Sequence, residues 1–335
     1  MSEYGLNVAV IGATGVIGTE LLATLARAPF DIARLVPIAS RASTTDTLMF
    51  KDRAHKVVDL TPESLDGVDL AFAALPRGAA DDALRELADA GCMVVDLAGI
   101  WAEDAQVPLV ALGINPVELE AVRELRVVRS PGPLALTVAA IGAAAATQVE
   151  LAGLRGTALL PASTAGRRGV EELSGQVVSS FNSKDPPRVV FPHGLAFDLL
   201  PRWGDGPADD WTDVELRAAA DAARILGIDP RRVALSVAVA PMFSGMGLSL
   251  NILATTPIAI DPLKVALEEY PAVRLREPRR LSPRAQNEQA RIAVGRVRAD
   301  LGGLGAHLWA SADPARLTAA NAVALVADMM LHDLL

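Results

Sequence analysis

The chain has 335 residues, of which 51% are hydrophobic and 21% charged, a balance that excludes a disordered chain and is sufficient for two globular domains. The net charge of −9, without any block of Lys or Arg, argues against nucleic acid as a partner. The single cysteine, Cys92, excludes a disulfide framework and fits a reducing compartment.

Two alanine-rich apolar runs, Leu134–Thr147 and Ala319–Leu331, are candidates for membrane segments. Both are interrupted by small or polar residues and fall short of the roughly 20 apolar residues that a membrane-spanning helix needs. The first residues, Met1–Asn7, contain neither a basic region nor a cleavage site and lead directly into a strand. We therefore expect a cytoplasmic protein without membrane association.

Strands and helices alternate over the first 130 residues. Short apolar runs predict buried parallel strands at Leu6–Ile11, Leu35–Ala39, Val68–Ala74, Cys92–Leu97 and Val127–Ser130. Helical spacing predicts helices at Val16–Arg27 and Ala79–Ala90. This alternation implies right-handed parallel crossovers, and therefore an α/β, Rossmann-type doubly wound domain over residues 1–130.

The regular alternation ends at residue 131. An alanine-rich helix, Leu134–Thr147, comes first. Further strands are predicted at Val149–Leu160, Val233–Ala240, Leu248–Ala254, Ile292–Arg298 and Ala306–Ala312. Helices are predicted at Gly169–Asn182, from a capping box at Thr212 to Leu226, and after the N-cap and proline pairs Asp261-Pro262 and Asp313-Pro314. The pattern predicts an α+β domain over 131–312, whose exposed sheet face could pair with another subunit, and a last helix over 313–335.

A glycine-rich turn separates the first strand from the first helix. Its spacing, G-x-x-G-x-x-G, is a variant of the dinucleotide fingerprint, in which glycines admit a pyrophosphate and let the helix pack on the strand. The predicted cofactor-binding residues are Gly12, Thr14, Gly15, Val16, Ile17 and Gly18. The alternative is a tight turn in a domain that no longer binds a nucleotide.

The end of the second predicted strand has no carboxylate for the ribose hydroxyls of NAD. It reads instead Ser40-Arg41-Ala42-Ser43, and a guanidinium flanked by hydroxyls suits a 2′-phosphate. The residues Ser40, Arg41 and Ser43 therefore favour NADP over NAD. The alternative is an exposed arginine in a turn.

Several segments carry motifs that resemble one enzyme family. They are Val94–Leu97, Ser163–Gly166 with Gly169–Leu173 and Gln176, Ala196–Pro201, Gly295–Arg298, Leu308–Trp309 and Asn321–Val323. Together they resemble the aspartate-semialdehyde dehydrogenase family, and more distantly N-acetylglutamyl-phosphate reductase. The resemblance implies an N-terminal NADP domain, a central catalytic and dimerisation domain, and a C-terminal helix that returns to the first domain.

The family reaction uses a cysteine thiolate that attacks an aldehyde, a histidine that handles the proton, hydride transfer to NADP and release of the thioester by phosphate. Here the resemblance places Pro133 at the cysteine position, Met246 at the histidine and Val239 at the substrate arginine. The segment of the phosphate arginine falls near Ala98–Ala102, which contains no arginine. The resemblance is thus to Usg-type paralogues that lack the catalytic cysteine and histidine.

Few other residues suggest chemistry. Cys92 starts a core strand and is expected to be a buried small hydrophobe. His193 is the histidine expected nearest the catalytic cleft, while His55, His307 and His332 have no partners at catalytic or metal-binding spacing. In the family, the positions of Glu171, Glu172 and Asp198 are largely structural, and the loop of Ser163, Thr164 and Gly166 approaches the active site.

Three functional hypotheses follow. The first is a catalytically silent, homodimeric family member that retains NADP binding and regulates or partners another enzyme, including as a hetero-oligomer with an active paralogue. The second is a divergent NADP-dependent oxidoreductase without a covalent intermediate, with His193 as the proton donor because Tyr4 and Tyr270 are poorly placed. The third is a dimeric interaction or scaffold protein.

Overall fold

The computed structural model describes residues 5–40, 46–207, 209–287 and 289–335. The chain forms two compact units, one of Met1–Gly132 with Thr318–Leu335 and the other of Pro133–Leu317. The sequence predicted boundaries after residues 130 and 312, and the two units divide after Gly132 and Leu317. None of the described helices is long and apolar enough to span a membrane.

The first unit is built on a parallel sheet. Its elements in chain order are β1 (Leu6–Ile11), α1 (Val16–Leu25), β2 (Ile32–Ile38), β3 (Thr47–Phe50), β4 (Arg53–Lys56), β5 (Leu70–Ala73), α2 (Asp81–Asp89), β6 (Met93–Asp96), α3 (Val122–Leu125) and β7 (Val127–Arg129). The five strands β2-β1-β5-β6-β7 pair in that order, all parallel. The predicted doubly wound sheet is confirmed.

The hairpin β3–β4 was not predicted. Its strands have four residues each, and β4 is mostly polar, which is too short and too polar to give a periodic signal.

Both faces of the parallel sheet are buried. Val8 and Val10 of β1 point to an apolar cluster that contains residues of α1, whereas Ala9 and Ile11 point to a second cluster that contains Leu84 of α2. Alternation of side chains along a strand explains why consecutive residues serve opposite layers. The near-continuous apolar run of β1 is the sequence signature of a strand covered on both faces.

The second unit contains a mixed sheet and the remaining helices. Its elements are α4 (Pro133–Ala146), β8 (Leu151–Leu160), α5 (Gly166–Phe181), α6 (Asp213–Leu226), β9 (Val233–Val239), β10 (Met246–Ala254), α7 (Ile260–Glu269), β11 (Val273–Leu275), β12 (Ile292–Ala299), β13 (Gly305–Ala312) and the start of α8 (Pro314–Leu331). The sheet order is β11-β12-β13-β10-β8-β9. Strands β9 and β10 follow each other in the chain, but β8 lies between them in the sheet.

The two faces of this sheet differ in polarity. Helices α4, α6 and α7 pack on the sheet, and Leu248, Leu250 and Ile252 of β10 are buried. The alternate residues of β10 include Ser249 and Asn251, which are exposed and half-buried respectively. This alternation confirms the expected sheet with one open, polar face.

Two of the three predicted helix starts are correct. Thr212 and Glu215 form a reciprocal capping box, and the Asp313 carboxylate accepts the N–H groups of Ala315 and Arg316. Asp261, in contrast, is not an N-cap: α7 begins at Ile260. The Asp261 carboxylate instead lies 3.0 Å from Nζ of Lys264, one turn later.

The C-terminal part of α8 packs on the first unit. Its residues Ala322, Leu325 and Val326 belong to the same apolar cluster as β1 and α1. Asn321 adds three polar contacts: its Oδ1 accepts the Leu112 N–H at 3.0 Å, and its Nδ2 donates to the Val110 carbonyl at 3.1 Å and to Ser130 Oγ at 2.8 Å. One amide side chain therefore joins α8 to the residue that follows β7.

We predict that Asn321→Ala lowers the free energy of unfolding by about 2–3 kcal/mol. The substitution removes the hydrogen bonds that Asn321 makes to the Leu112 N–H, the Val110 carbonyl and Ser130 Oγ. Urea denaturation followed by fluorescence measures this loss. Asn182→Ala is the matched control, since Asn182 is exposed at the end of α5 and its loss should stay within about 0.5 kcal/mol. Equal losses in the two variants would show that Asn321 anchors nothing.

Candidate nucleotide site and the expected catalytic positions

The glycine turn lies at the topological switch point of the first sheet. Strand β1 is flanked by β2 and β5, and the chain changes direction across the sheet between them. In open α/β sheets, ligands bind in the crevice outside the carboxyl ends of the strands at this point. The turn that follows Ile11 occupies that position.

Close backbone approach explains the glycines of the turn. Gly12 has φ +91°, and a Cβ atom there would collide with the Ala74 carbonyl that follows β5. A Cβ atom at Gly18 would collide with the Gly12 carbonyl, so α1 packs directly on the turn. Side chains are thus excluded where the fingerprint requires glycine.

The turn is held by hydrogen bonds and leaves a helix terminus open. The N–H groups of Gly12 and Ala13 both donate to the Ile38 carbonyl of β2, at 2.8 and 3.0 Å. Gly15 is the N-cap of α1, and the first turn of α1 carries no acidic side chain. The first N–H groups of a helix attract a phosphate when no carboxylate competes for them. The predicted residues Thr14, Val16 and Ile17 lie at this terminus, so the turn fits a dinucleotide pyrophosphate.

The end of β2 lies beside the turn. Ile38 and Ala39 are buried and Ser40 is exposed, so no carboxylate stands at this strand end. The predicted residues Arg41 and Ser43 lie outside the described residues, and the preference for NADP that rests on them stays a prediction.

A buried carboxylate shapes the loop that follows β6. Asp96 Oδ1 accepts the N–H groups of Ala98 and Gly99 at 2.9 and 2.8 Å, and Oδ2 accepts that of Trp101 at 3.1 Å. The Arg85 guanidinium lies 5.2 Å from the centre of the Trp101 ring. These contacts fix the loop of Ala98–Ala102, which contains no arginine.

Two of the three residues that the sequence motifs match to catalytic positions are buried. Val239, at the end of β9, is fully buried in a cluster with Leu173 and Phe191, and its backbone pairs with Leu200. Met246, at the start of β10, is 1% exposed. Charged side chains placed there would lose their hydration without a partner.

Pro133, at the third position, is the first residue of α4. Proline is favoured at this position because its missing N–H would have no partner within the helix. It carries no nucleophilic atom.

The family-like residues Glu172 and Gln176 serve structure. Glu172 accepts the N–H groups of Val189, Val190 and Phe191 at 2.6–2.8 Å. Gln176 Oε1 accepts the N–H groups of Leu195 and Ala196. The side-chain nitrogen Nε2 of Gln176 donates to Glu172 Oε1 at 3.1 Å. This buried pair fixes the loop from residue 187 to 200. Periodicity alone showed only that α5 has a packed face, and did not reveal this polar contact.

The loop carries two of the remaining candidates. His193 and Asp198 are both exposed on it, and Glu171 is exposed on α5. The Asp198 carboxylate accepts only the adjacent Leu199 N–H among the hydrogen bonds of the described residues. Ser163 and Thr164 lie in the short helix Ala162–Ala165, and Gly166 opens α5 with φ +69°.

The other histidines have local contacts. The ring of His55 stacks edge-on against Phe50, Nε2 of His307 lies 3.2 Å from Asp300 Oδ1, and Nδ1 of His332 lies 2.9 Å from the Asp328 carbonyl. Within the described ranges, no three His, Cys, Asp or Glu residues are arranged to hold a metal ion.

The cysteine is buried and far from the glycine turn. Cys92 precedes β6 at the amino end of the sheet, whereas the turn lies at the carboxyl ends of the parallel strands. Burial raises the pKa of the Cys92 thiol to about 12, with a further increase from the Asp69 carboxylate. The thiol is therefore protonated at neutral pH and is not a nucleophile. Burial also raises the pKa of Tyr270 to about 12.

Comparisons with known proteins agree with this architecture. Residues 7–122 match the model of the semialdehyde dehydrogenase NAD-binding domain, and residues 143–316 match that of the semialdehyde dehydrogenase dimerisation domain. The chain is 31% identical over 273 residues to a USG-1 protein homolog of Azotobacter vinelandii, which covers 82% of this chain and 81% of the relative.

Full-length relatives are also similar. An aspartate-semialdehyde dehydrogenase of Synechocystis is 27% identical over 98% of both chains. The crystal structure of aspartate semialdehyde dehydrogenase II from Vibrio cholerae superposes with a TM-score of 0.92 at 24% identity, covering 98% of this chain and 99% of that one, which shows a common fold. The expected NAD-binding domain is thereby confirmed, and the protein belongs to the semialdehyde dehydrogenase family.

Proposed function

We propose that this protein is a catalytically silent member of its family that binds NADP and acts as a regulator or partner of another enzyme. One observation carries the proposal: the sequence motifs match Pro133, Val239 and Met246 to the nucleophile, the substrate arginine and the histidine of the family, and Val239 and Met246 are buried. The glycine turn, in contrast, keeps its full geometry. On this proposal, the nucleotide-binding turn is kept, whereas the nucleophile, the substrate arginine and the histidine are absent.

The described residues supply no replacement for the lost groups. The Cys92 thiol is protonated. It lies at the amino ends of the parallel strands, whereas the turn lies at their carboxyl ends. His193 is exposed, and the side chains that its loop packs inward are apolar, Phe191 and Leu195. A nicotinamide cofactor bound at the turn would supply a hydride acceptor, but these side chains provide neither a nucleophile nor a buried acid or base beside it.

The proposed partner is first of all a second copy of this chain. The second unit matches a dimerisation domain, and its described part carries an exposed apolar patch formed by Val178, Phe181 and Phe197, here named the Phe181 patch. The rings of Phe181 and Phe197 contact each other edge to face, 6.0 Å apart, yet are 79% and 71% exposed. Exposed aromatic pairs of this kind mark protein interfaces.

A hetero-oligomer with an active paralogue would use the same Phe181 patch. A cytoplasmic location fits a protein whose single cysteine is unpaired.

The first prediction concerns activity. Purified protein supplied with NADP, aspartate semialdehyde and phosphate should form no NADPH above background, because a thiol with a pKa of about 12 has almost no thiolate at pH 8. Absorbance at the NADPH band measures the reaction. Cys92→Ser separates residual contamination from intrinsic chemistry, since it should change nothing. Saturable, phosphate-dependent turnover that Cys92→Ser abolishes would refute catalytic silence.

The second prediction concerns the cofactor. Calorimetry should show NADPH binding that Arg41→Ala weakens about tenfold or more, while NADH binding is unchanged, because a charge-assisted contact to the 2′-phosphate is lost. Arg53→Ala is the matched control, since Arg53 is exposed on β4. Absence of binding by either nucleotide would overturn nucleotide binding, and equal weakening of both would overturn the role of Arg41.

The third prediction concerns assembly. Phe181→Asp should raise the dimer dissociation constant about tenfold or more, since it places a charge in the centre of the Phe181 patch. Sedimentation equilibrium measures this change. Leu301→Asp provides the control, because Leu301 is a fully exposed side chain in the β12–β13 connection of the same unit. A Phe181→Asp variant that sediments as a dimer with wild-type affinity would remove the patch from the interface.

A further inference from the structure

A second cleft lies in the first unit, away from the glycine turn. It has a volume of about 950 Å³ and is formed by the start of β1, the segment that precedes β5, one face of α2 and the residues after α8. Cavities that hold small molecules have volumes of roughly 300–1,000 Å³. We name it the amino-edge cleft, because it lies at the amino ends of β1, β5 and β6. The nucleotide crevice lies at their carboxyl ends.

The walls of the amino-edge cleft are largely apolar. Leu6, Leu65, Leu87 and Met330 line it, and each is half-buried, so part of each side chain faces the open space. The frame around them is fixed by hydrogen bonds. Asp69 Oδ2 accepts the Asn7 N–H at 2.8 Å across β1 and β5, and Arg126 Nε donates to the Gly91 carbonyl at 3.0 Å.

The charged groups of the cleft are predominantly acidic. Asp66, Asp69, Glu86 and Asp333 line it, against the single guanidinium of Arg126 among the described lining residues. The Arg126 guanidinium is engaged by the backbone carbonyls of Gly91 and Leu334. All four carboxylate residues are exposed.

Cys92 also lines the cleft, and its thiol is buried. After burial, which is the largest cause, the Asp69 carboxylate raises its pKa, and this exceeds the opposing influence of Arg126. Carboxylates outnumber guanidinium groups among the described lining residues, and an acidic concave surface concentrates cations.

We propose that the amino-edge cleft binds a small organic cation with an apolar body, such as an aryl-alkyl ammonium ion. The apolar walls accept the body by burial of nonpolar surface. The carboxylates at the rim complement the ammonium group and disfavour anions, including nucleotides. The ligand would thus bind at the edge of the sheet opposite the proposed NADP crevice, and the two would not compete for space.

The test compares three indole compounds that share one ring system. Tryptamine carries an ammonium group, tryptophol a hydroxyl and indole-3-acetate a carboxylate. Saturation-transfer NMR and calorimetry on the full chain should show binding in the order tryptamine, tryptophol, indole-3-acetate. Raising NaCl from about 0.05 to about 0.5 M should weaken tryptamine binding specifically. Equal binding of all three, or no binding of tryptamine, would overturn the proposal.

Variants locate the bound probe. Glu86→Gln should weaken tryptamine about two- to fivefold, and Glu86→Gln with Asp66→Asn further, as expected for rim charges. Asp82→Asn is the matched control, because Asp82 is exposed on α2 and does not line the cleft. Ala90→Trp should block binding by filling the cleft with an indole ring.

Two results would place the probe elsewhere and overturn the proposal: tryptamine binding that Ala90→Trp leaves intact, and displacement of tryptamine by saturating NADPH. The proposal does not depend on nucleotide binding, since tryptamine is measured first without NADPH.

Discussion

The contact on which the first unit depends is the near-touching of three backbone segments. The turn at Gly12, the start of α1 at Gly18 and the carbonyl of Ala74 after β5 approach so closely that no side chain fits between them. This approach places the amino end of α1 at the point where the strand order reverses. Both the packing of α1 on β1 and the shape of the crevice follow from it, so selection for folding alone can preserve the turn, whatever its occupancy.

The second unit buries apolar residues at two positions that the sequence motifs match to catalytic groups of the family. Val239 is fully buried in an apolar cluster, and Met246 is 1% exposed. A buried charge costs free energy unless it is paired, so apolar residues suit these buried positions. Glu172 and Gln176, the polar residues that hold the loop, accept backbone N–H groups that would otherwise be buried without hydrogen bonds.

The C-terminal part of α8 completes the core of the first unit. Its side chains fill the same apolar cluster as β1, and Asn321 binds both Val110 and Ser130. A segment distant in sequence therefore completes the layer on one face of the sheet. The residues that follow this helix also line the amino-edge cleft, so a single element contributes to the core and to the proposed cation site.

The sequence by itself determined the parallel sheet, the glycine turn and the identities of Pro133, Val239 and Met246, because apolar runs, glycine spacing and side-chain chemistry are local properties. Only the tertiary structure decided that β8 lies between β9 and β10, since strand order depends on packing between distant segments. The contacts of Glu172 with the 189–191 backbone and the amino-edge cleft also arise from residues far apart in the chain. No local sequence pattern predicts such long-range contacts, because they depend on how whole helices and strands pack against one another.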